Sequence, residues 1–204
     1  MTIRLHIGDL PADADFGDAV AVDTETLGLV PQRDRLCLVQ LSRGDGTADL
    51  VQIRPDGPRP DNLARLFADE RVLKIFHYAR FDLAVIEHYL GVMPGPVFCT
   101  KIASRLTRTY TDRHGLKDVL RELLGVEISK QQQSSDWGAP TLSEAQLAYA
   151  ASDVLHLHAL RDKLEALLAR EGRTELARQC FAFLPTRARL DLAGWPEVDI
   201  FAHS

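Results

Sequence analysis

Apolar and polar residues alternate from Ile3 to Ile7 (IRLHI), which predicts a strand with one face in water. Less broken apolar runs follow at 19–24 (AVAVDT), 35–42 (RLCLVQLS) and 48–53 (ADLVQI), short and aliphatic enough for buried strands. Between the last two, Asp45-Gly46 is a hairpin signal, because both residues tolerate the positive φ of a tight turn. Residues 19–53 therefore predict a three-stranded antiparallel meander. Beyond it the period lengthens. DNLARLFADE carries Leu63, Leu66 and Phe67 on one helical side, VLKIF (72–76) reads as a short buried strand, and 80–90 as an amphipathic helix stopped by Gly91 and Pro94. A further strand is expected at 97–99 and helices at 100–108 and 115–124, the second ending at Gly125. Thr141-x-x-Glu144 forms a capping-box pattern, predicting a long helix to about Gly172, with another over 174–183. The last stretch, 185–204, is a poorly patterned tail, expected to dock on its own core or to make subunit contacts. A meander, then βα units, then helices predict an α/β fold with one mixed sheet flanked by helices.

Composition narrows the function classes. A chain of 204 residues suits one domain with a sizeable core. Cys37, Cys99 and Cys180 are far apart and form no Cys-x-x-Cys pair, which argues against a zinc or disulfide framework and for a reducing compartment. The N-terminus has no basic segment followed by an apolar core, so a cytoplasmic location is expected. A net charge of −5 disfavours a grip on long nucleic acid, which needs many cations against phosphates, and leaves room for a small anionic ligand.

The acids carry the chemistry. Asp23 and Glu25 leave an extended chain on the same side, directly after an apolar run where isolated charges are costly. Asp82 lies where a strand gives way to a helix, and Asp153 lies in a helix of mostly alanine and leucine, one turn after Tyr149. Converging, these four carboxylates suit hard divalent cations, Mg²⁺ or Mn²⁺, and a pair of such ions would clamp a scissile phosphate. Tyr149 would then orient or deprotonate the attacking water. Taken singly, each acid has a structural alternative: a strand-end cap for Asp23 and Glu25, a helix-dipole partner for Asp82, a chance pair for Tyr149 and Asp153.

Their order and context resemble the DEDD 3′–5′ exonucleases. VDTETLGL, HYARFDLAV and YAASDVLHL look like the three motifs, and the tyrosine marks the DEDDy branch. SKQQQSSDW is similar to a segment of ribonuclease D proteins. TKIASRLTRTYTDRHGLK and the ending LDLAGWPEVDIFAHS bring the chain nearest to the small single-domain nanoRNase C family. The resemblance implies a ribonuclease H-like fold forming one exonuclease domain over 1–204, without the additional helical HRDC domain of ribonuclease D. It implies a 3′–5′ exoribonuclease that cuts short oligoribonucleotides, dinucleotides especially, to nucleoside 5′-monophosphates, and a homo-octamer. Asp23, Glu25, Asp82, Tyr149 and Asp153 would be catalytic, the four acids holding two Mg²⁺ or Mn²⁺ ions. An exonuclease acting on longer RNA or on DNA is the alternative.

Several neighbours are candidate substrate contacts. Thr24 sits between the two acids. Leu27 would wedge against the bases, as the resemblance implies, or pack in the core. Gly28 would admit a sugar close to the backbone or form a turn. His77, Tyr78 and Arg80 lie beside Asp82, with a satisfied core histidine as the other reading of His77. Lys130 would approach a phosphate, and Trp137 would cover a base or anchor its loop. The basic stretch containing Lys101, Arg105, Arg108, Arg113, Lys117 and Arg121 is either a solvated helix face, a phosphate-binding edge or a subunit contact.

Overall fold

The computed structural model describes residues 2–129 and 131–203. Six strands, β1 (Thr2–Ile7), β2 (Ala19–Thr26), β3 (Leu36–Ser42), β4 (Thr47–Gln52), β5 (Leu73–Phe76) and β6 (Val97–Cys99), form one sheet in the order β1-β4-β3-β2-β5-β6. The meander is present: β2, β3 and β4 pair antiparallel. β1 returns parallel to β4 at one edge, while β2, β5 and β6 run parallel on the other side. The interior position of β2 explains its sequence. Ala19 to Val22 are shut from solvent because both faces of the strand are covered.

Side-chain alternation assigns the faces. Val20 and Val22 enter a core completed by α1 (Asp61–Ala68), α2 (Ala79–Leu90) and the second half of α7 (Thr174–Leu192). Ala19 and Ala21 enter the opposite core, built with α4 (Leu116–Leu124), α5 (Glu144–Leu155) and α6 (Leu157–Arg170). α3 (Thr100–Thr107) follows β6 directly and packs on α6. The small alanines on the second face let α5 approach the sheet closely, with contacts to β2, β3 and β4. No helix among the described residues is long and apolar enough to cross a membrane.

Three expectations require correction. The capping box belongs to Ser143, whose hydroxyl accepts from the Gln146 amide at 3.2 Å while Gln146 Oε1 accepts from the Ser143 amide at 2.9 Å. It lies two residues beyond the Thr141–Glu144 pair, since both patterns satisfy the same rule and only chain direction selects one. The long helix is interrupted at His156, whose φ of −107° and ψ of 0° depart from regular helix values and separate α5 from α6. Conversely α7 does not stop near 183; it continues through Pro185 to Leu192. Burial of Leu184 and Ala188 against the sheet side outweighs the amide hydrogen bond that Pro185 removes.

The basic stretch also separates. Arg108 is 1% exposed, donates to Ser104 Oγ at 2.9 Å and to the Arg113 carbonyl at 2.7 Å, and pairs with Glu122. It is a strut between the end of α3 and α4 and takes no part in a phosphate-binding edge. Arg108→Ala should lower the unfolding free energy by roughly 3 kcal/mol, because it removes the buried guanidinium together with its pairing to Glu122 and its hydrogen bonds to Ser104 and Arg113. Chemical denaturation would read that loss, and KM of the folded fraction should stay unchanged.

Candidate active site

The site is built where β2 runs out of core. Asp23 and Glu25 continue the face of Ala19 and Ala21, so they project toward α5, where Tyr149 and Asp153 lie one turn apart. Carboxylate oxygens of Asp23, Glu25 and Asp153 all lie within 4.8 Å of one another. Thr24 points the other way, toward α2, and its hydroxyl donates to Asp82 Oδ1 at 2.7 Å. Asp82 therefore reaches the group from the opposite face of the strand, in the first turn of α2, where the helix dipole favours negative charge. That turn is opened by Tyr78 in a left-handed conformation (φ 74°), unusual for a residue with a side chain. Between Glu25 and Thr26 the register with β3 shifts by one residue, leaving Cys37 of β3 unopposed, and beyond this end of the pairing Leu27 lines the cleft.

The electrostatics follow from packing so many acids together out of water. Burial, then the charges of Asp82, Asp153 and Glu25, drive Asp23 well above the usual carboxylate range. Burial and the Asp153 and Asp82 charges push Glu25 up to about 9. Burial raises Asp82 and Asp153 to about 7 each, against the hydrogen bonds from Thr24 and Tyr149 that favour their ionised forms. The Tyr149 hydroxyl is also raised, by burial and by the adjacent acids, so it holds its proton. Gln40, directly across from Asp23 on β3, donates its amide to Asp23 Oδ2 at 3.3 Å. Clustered carboxylates that cannot all ionise unaided form the donor set that a hard divalent cation completes.

Above the acids opens a cleft of about 640 Å³, within the range of small-ligand sites. Thr24, Leu27, Gly28, His77 and Trp137 line it. Trp137 is only 2% exposed and stacks on Tyr149 with ring centroids 6.0 Å apart, so it serves as wall and support for the tyrosine. His77 Nδ1 lies 2.8 Å from Thr100 Oγ1, and burial lowers its pKa to about 3, which keeps the ring neutral. Gly28 admits a carboxylate: a Cβ there would lie 2.3 Å from Asp34 Oδ2.

Two expected contacts stand elsewhere. Arg80 donates to both oxygens of Asp191, at 2.6 and 2.7 Å, and to the Pro196 carbonyl. Tyr78 shares with Arg80 a separate hollow of about 300 Å³, its ring lying 4.2 Å from Lys101 Nζ. Chain neighbours of Asp82 thus leave the start of α2 in different directions, which proximity in sequence does not reveal. Lys130 falls outside the described residues. Gln40 and Phe81 were missed by sequence reasoning. Gln40 left a signal, a polar residue inside a buried strand, whereas Phe81 reads as an ordinary core residue beside Asp82.

Comparison with known proteins agrees with this geometry. Residues 9–169 match the family described as 3′–5′ exonuclease. Ribonuclease D of Gluconacetobacter diazotrophicus is 36% identical over 165 residues, 81% of this chain but 42% of that protein, so the chain spans less than half the length of such curated relatives. The structure of Brucella melitensis NrnC bound to pGG superimposes with a TM-score of 0.97 at 64% identity, covering 100% of both chains. The same protein with bound Mg²⁺ gives a TM-score of 0.96 at 63% identity, again covering 100% of both. Escherichia coli RNase D, an exoribonuclease involved in structured RNA processing, gives 0.75 at 27% identity over 84% of this chain and 45% of its own. The mixed sheet with helices on both faces is the ribonuclease H-like exonuclease fold expected from the motifs. This chain belongs to the 3′–5′ exonuclease family, among its ribonuclease D-like nucleases.

Proposed function

We propose that the protein is a metal-dependent 3′–5′ exoribonuclease of short oligoribonucleotides, dinucleotides above all. The observation that carries this reading is a group of three acids, Asp23, Glu25 and Asp153, lining a cleft of about 640 Å³, with Asp82 buried behind them on the other face of β2. Short substrates are favoured because Lys101 and Lys117 are the lining cations among the described residues, too few to track a long phosphate backbone. Asp23, Glu25 and Asp153 would hold one cation, and Asp82, reaching Asp23 from the other face, would complete the place of a second. Two divalent ions, Mg²⁺ or Mn²⁺, would supply the positive charge that ionises the four acids together, polarises the scissile phosphate and acidifies the attacking water.

The chain's own groups do the positioning. Thr24 fixes the Asp82 carboxylate and Gln40 that of Asp23. Tyr149, protonated and braced by Trp137, orients the water by hydrogen bonding. Water attacks the phosphorus, the bond to the leaving 3′ oxygen breaks, and a nucleoside 5′-monophosphate departs from a strand that regains its 3′ hydroxyl. Leu27, 53% exposed at the mouth, packs against the terminal bases. Exposed Trp195, Ile200 and Phe201 offer apolar area for the homo-oligomer, octameric by resemblance.

Turnover of ribonucleotides two to twenty residues long should fall as length rises; equal or faster cleavage of the 20-mer at every enzyme concentration would point to long RNA or DNA as the natural substrate. Asp23→Asn should abolish hydrolysis yet raise the melting temperature of the metal-free protein, since it removes a buried acid that the fold must hold protonated at a cost; calorimetry and a product assay on the same sample check both. Tyr149→Phe should lower kcat about 10²-fold with little change in KM. The raised acids also set a pH dependence. A carboxylic acid whose folded pKa lies above its unfolded value stabilises the fold below the unfolded pKa, and loses that contribution as pH rises through the folded one. For Glu25 that window runs from 4.5 to about 9. The metal-free melting temperature should fall across it, and Mg²⁺ should restore more of it at pH 9 than at pH 5. A Mg²⁺ shift that is flat with pH would contradict a shared carboxylate site.

A further inference from the structure

Trp137 of the cleft wall belongs to the segment 136–139, which lies against Leu27 and is strapped down from three directions. Gln146 Nε2 of α5 donates to the Asp136 carbonyl at 3.1 Å. Arg35 Nη2, just before β3, donates to the Gly138 carbonyl at 3.3 Å, and Gln52 Nε2 of β4 to the Ala139 carbonyl at 2.9 Å. Within the segment, Asp136 Oδ1 accepts from the Gly138 amide at 2.9 Å. At its centre Gly138 meets Leu27. A Cβ built on Gly138 would lie 2.7 Å from Leu27 Cδ2, and 3.2 Å from both Arg35 Nη2 and Asp136 Oδ1. Gly138 is absent from the positive-φ glycines, so space and not backbone conformation requires glycine here.

We propose that Gly138 is a specificity-positioning residue: its bare Cα is the seat on which Leu27 rests, and it sets how far the leucine reaches into the cleft. The inference rests on the substrate role proposed above for Leu27. Its physical basis is the mismatch in freedom between the two sides of the contact. The segment cannot retreat from an added methyl, because three side chains hold its carbonyls. The Leu27 side chain is half exposed where the regular pairing of β2 with β3 ends, so it can turn toward solvent. A methyl at 138 therefore displaces the leucine and leaves the acids, on the strand behind it, in place.

The test is a double-mutant cycle of Gly138→Ala and Leu27→Ala, measuring kcat and KM on pGG and on a five-residue RNA. Gly138→Ala is expected to raise KM for pGG several-fold, with kcat held within about twofold, and to narrow the preference for pGG over the longer RNA. In the Leu27→Ala background the same change should add nothing, because the clashing group is gone. An equal effect in both backgrounds would mean that Gly138 acts through Arg35 or Asp136, and would overturn the proposal, as would an unchanged KM in Gly138→Ala alone. If Leu27→Ala by itself leaves KM and length preference intact, the substrate role of Leu27 fails and the inference with it. Should Gly138→Ala not fold, recovery of folding in the double variant supports the contact, and failure to recover overturns it.

Discussion

Mutual repulsion among carboxylates at the end of β2 is the constraint on which the rest of this molecule depends. Asp23, Glu25 and Asp153 bring oxygens within 4.8 Å of one another, in surroundings that disfavour ionisation even of a single acid. Left alone, the group relieves the repulsion by keeping protons, which is why these acids titrate so far above their ordinary range. A divalent cation relieves it differently, by letting them all ionise. The site is therefore an arrangement held under electrostatic strain by the fold and matched to positive charge.

The fold that sustains this strain is a sheet covered on both faces, with an interior strand, β2, delivering the acids. Alternation along β2 sends Asp23 and Glu25 toward α5 and Thr24 toward α2, so acids arriving from two layers converge on one strand end. Single hydrogen bonds fix the orientations: Thr24 holds Asp82, Gln40 holds Asp23, and Trp137 braces Tyr149 by packing. The end of α7 adds a strut. Asp191 receives Arg80 from the start of α2 and Arg187 from its own helix, and Gln32, in the loop after the acids, donates to the carbonyls of Asp191 and Leu192. Two segments that carry the site are thus tied to the last helix, and Arg80, expected at the substrate, is spent in that tie.

Much of this could be read directly from the chain, since local rules govern it. Strand and helix periods, the Asp45-Gly46 turn and the ordered acids depend on residues within a few positions of each other. Errors arose where a local rule had two solutions or lost to packing. Two capping-box patterns lay within three residues of each other, and Pro185 was overruled by the burial of its neighbours.

By itself the sequence determined the layer architecture, the five candidate catalytic residues and their family, because alternation, period and motif spacing are encoded along the backbone. Only the tertiary structure decided which polar residues reach the cleft. Arg80 and Arg108 were withdrawn into ion pairs, Trp137 was set behind Tyr149, and Gly138 was placed against Leu27. The reason is one of range. Arg80 and Asp191, like Leu27 and Gly138, are separated by more than 100 residues, so their contact exists only after the sheet and helices have chosen their neighbours.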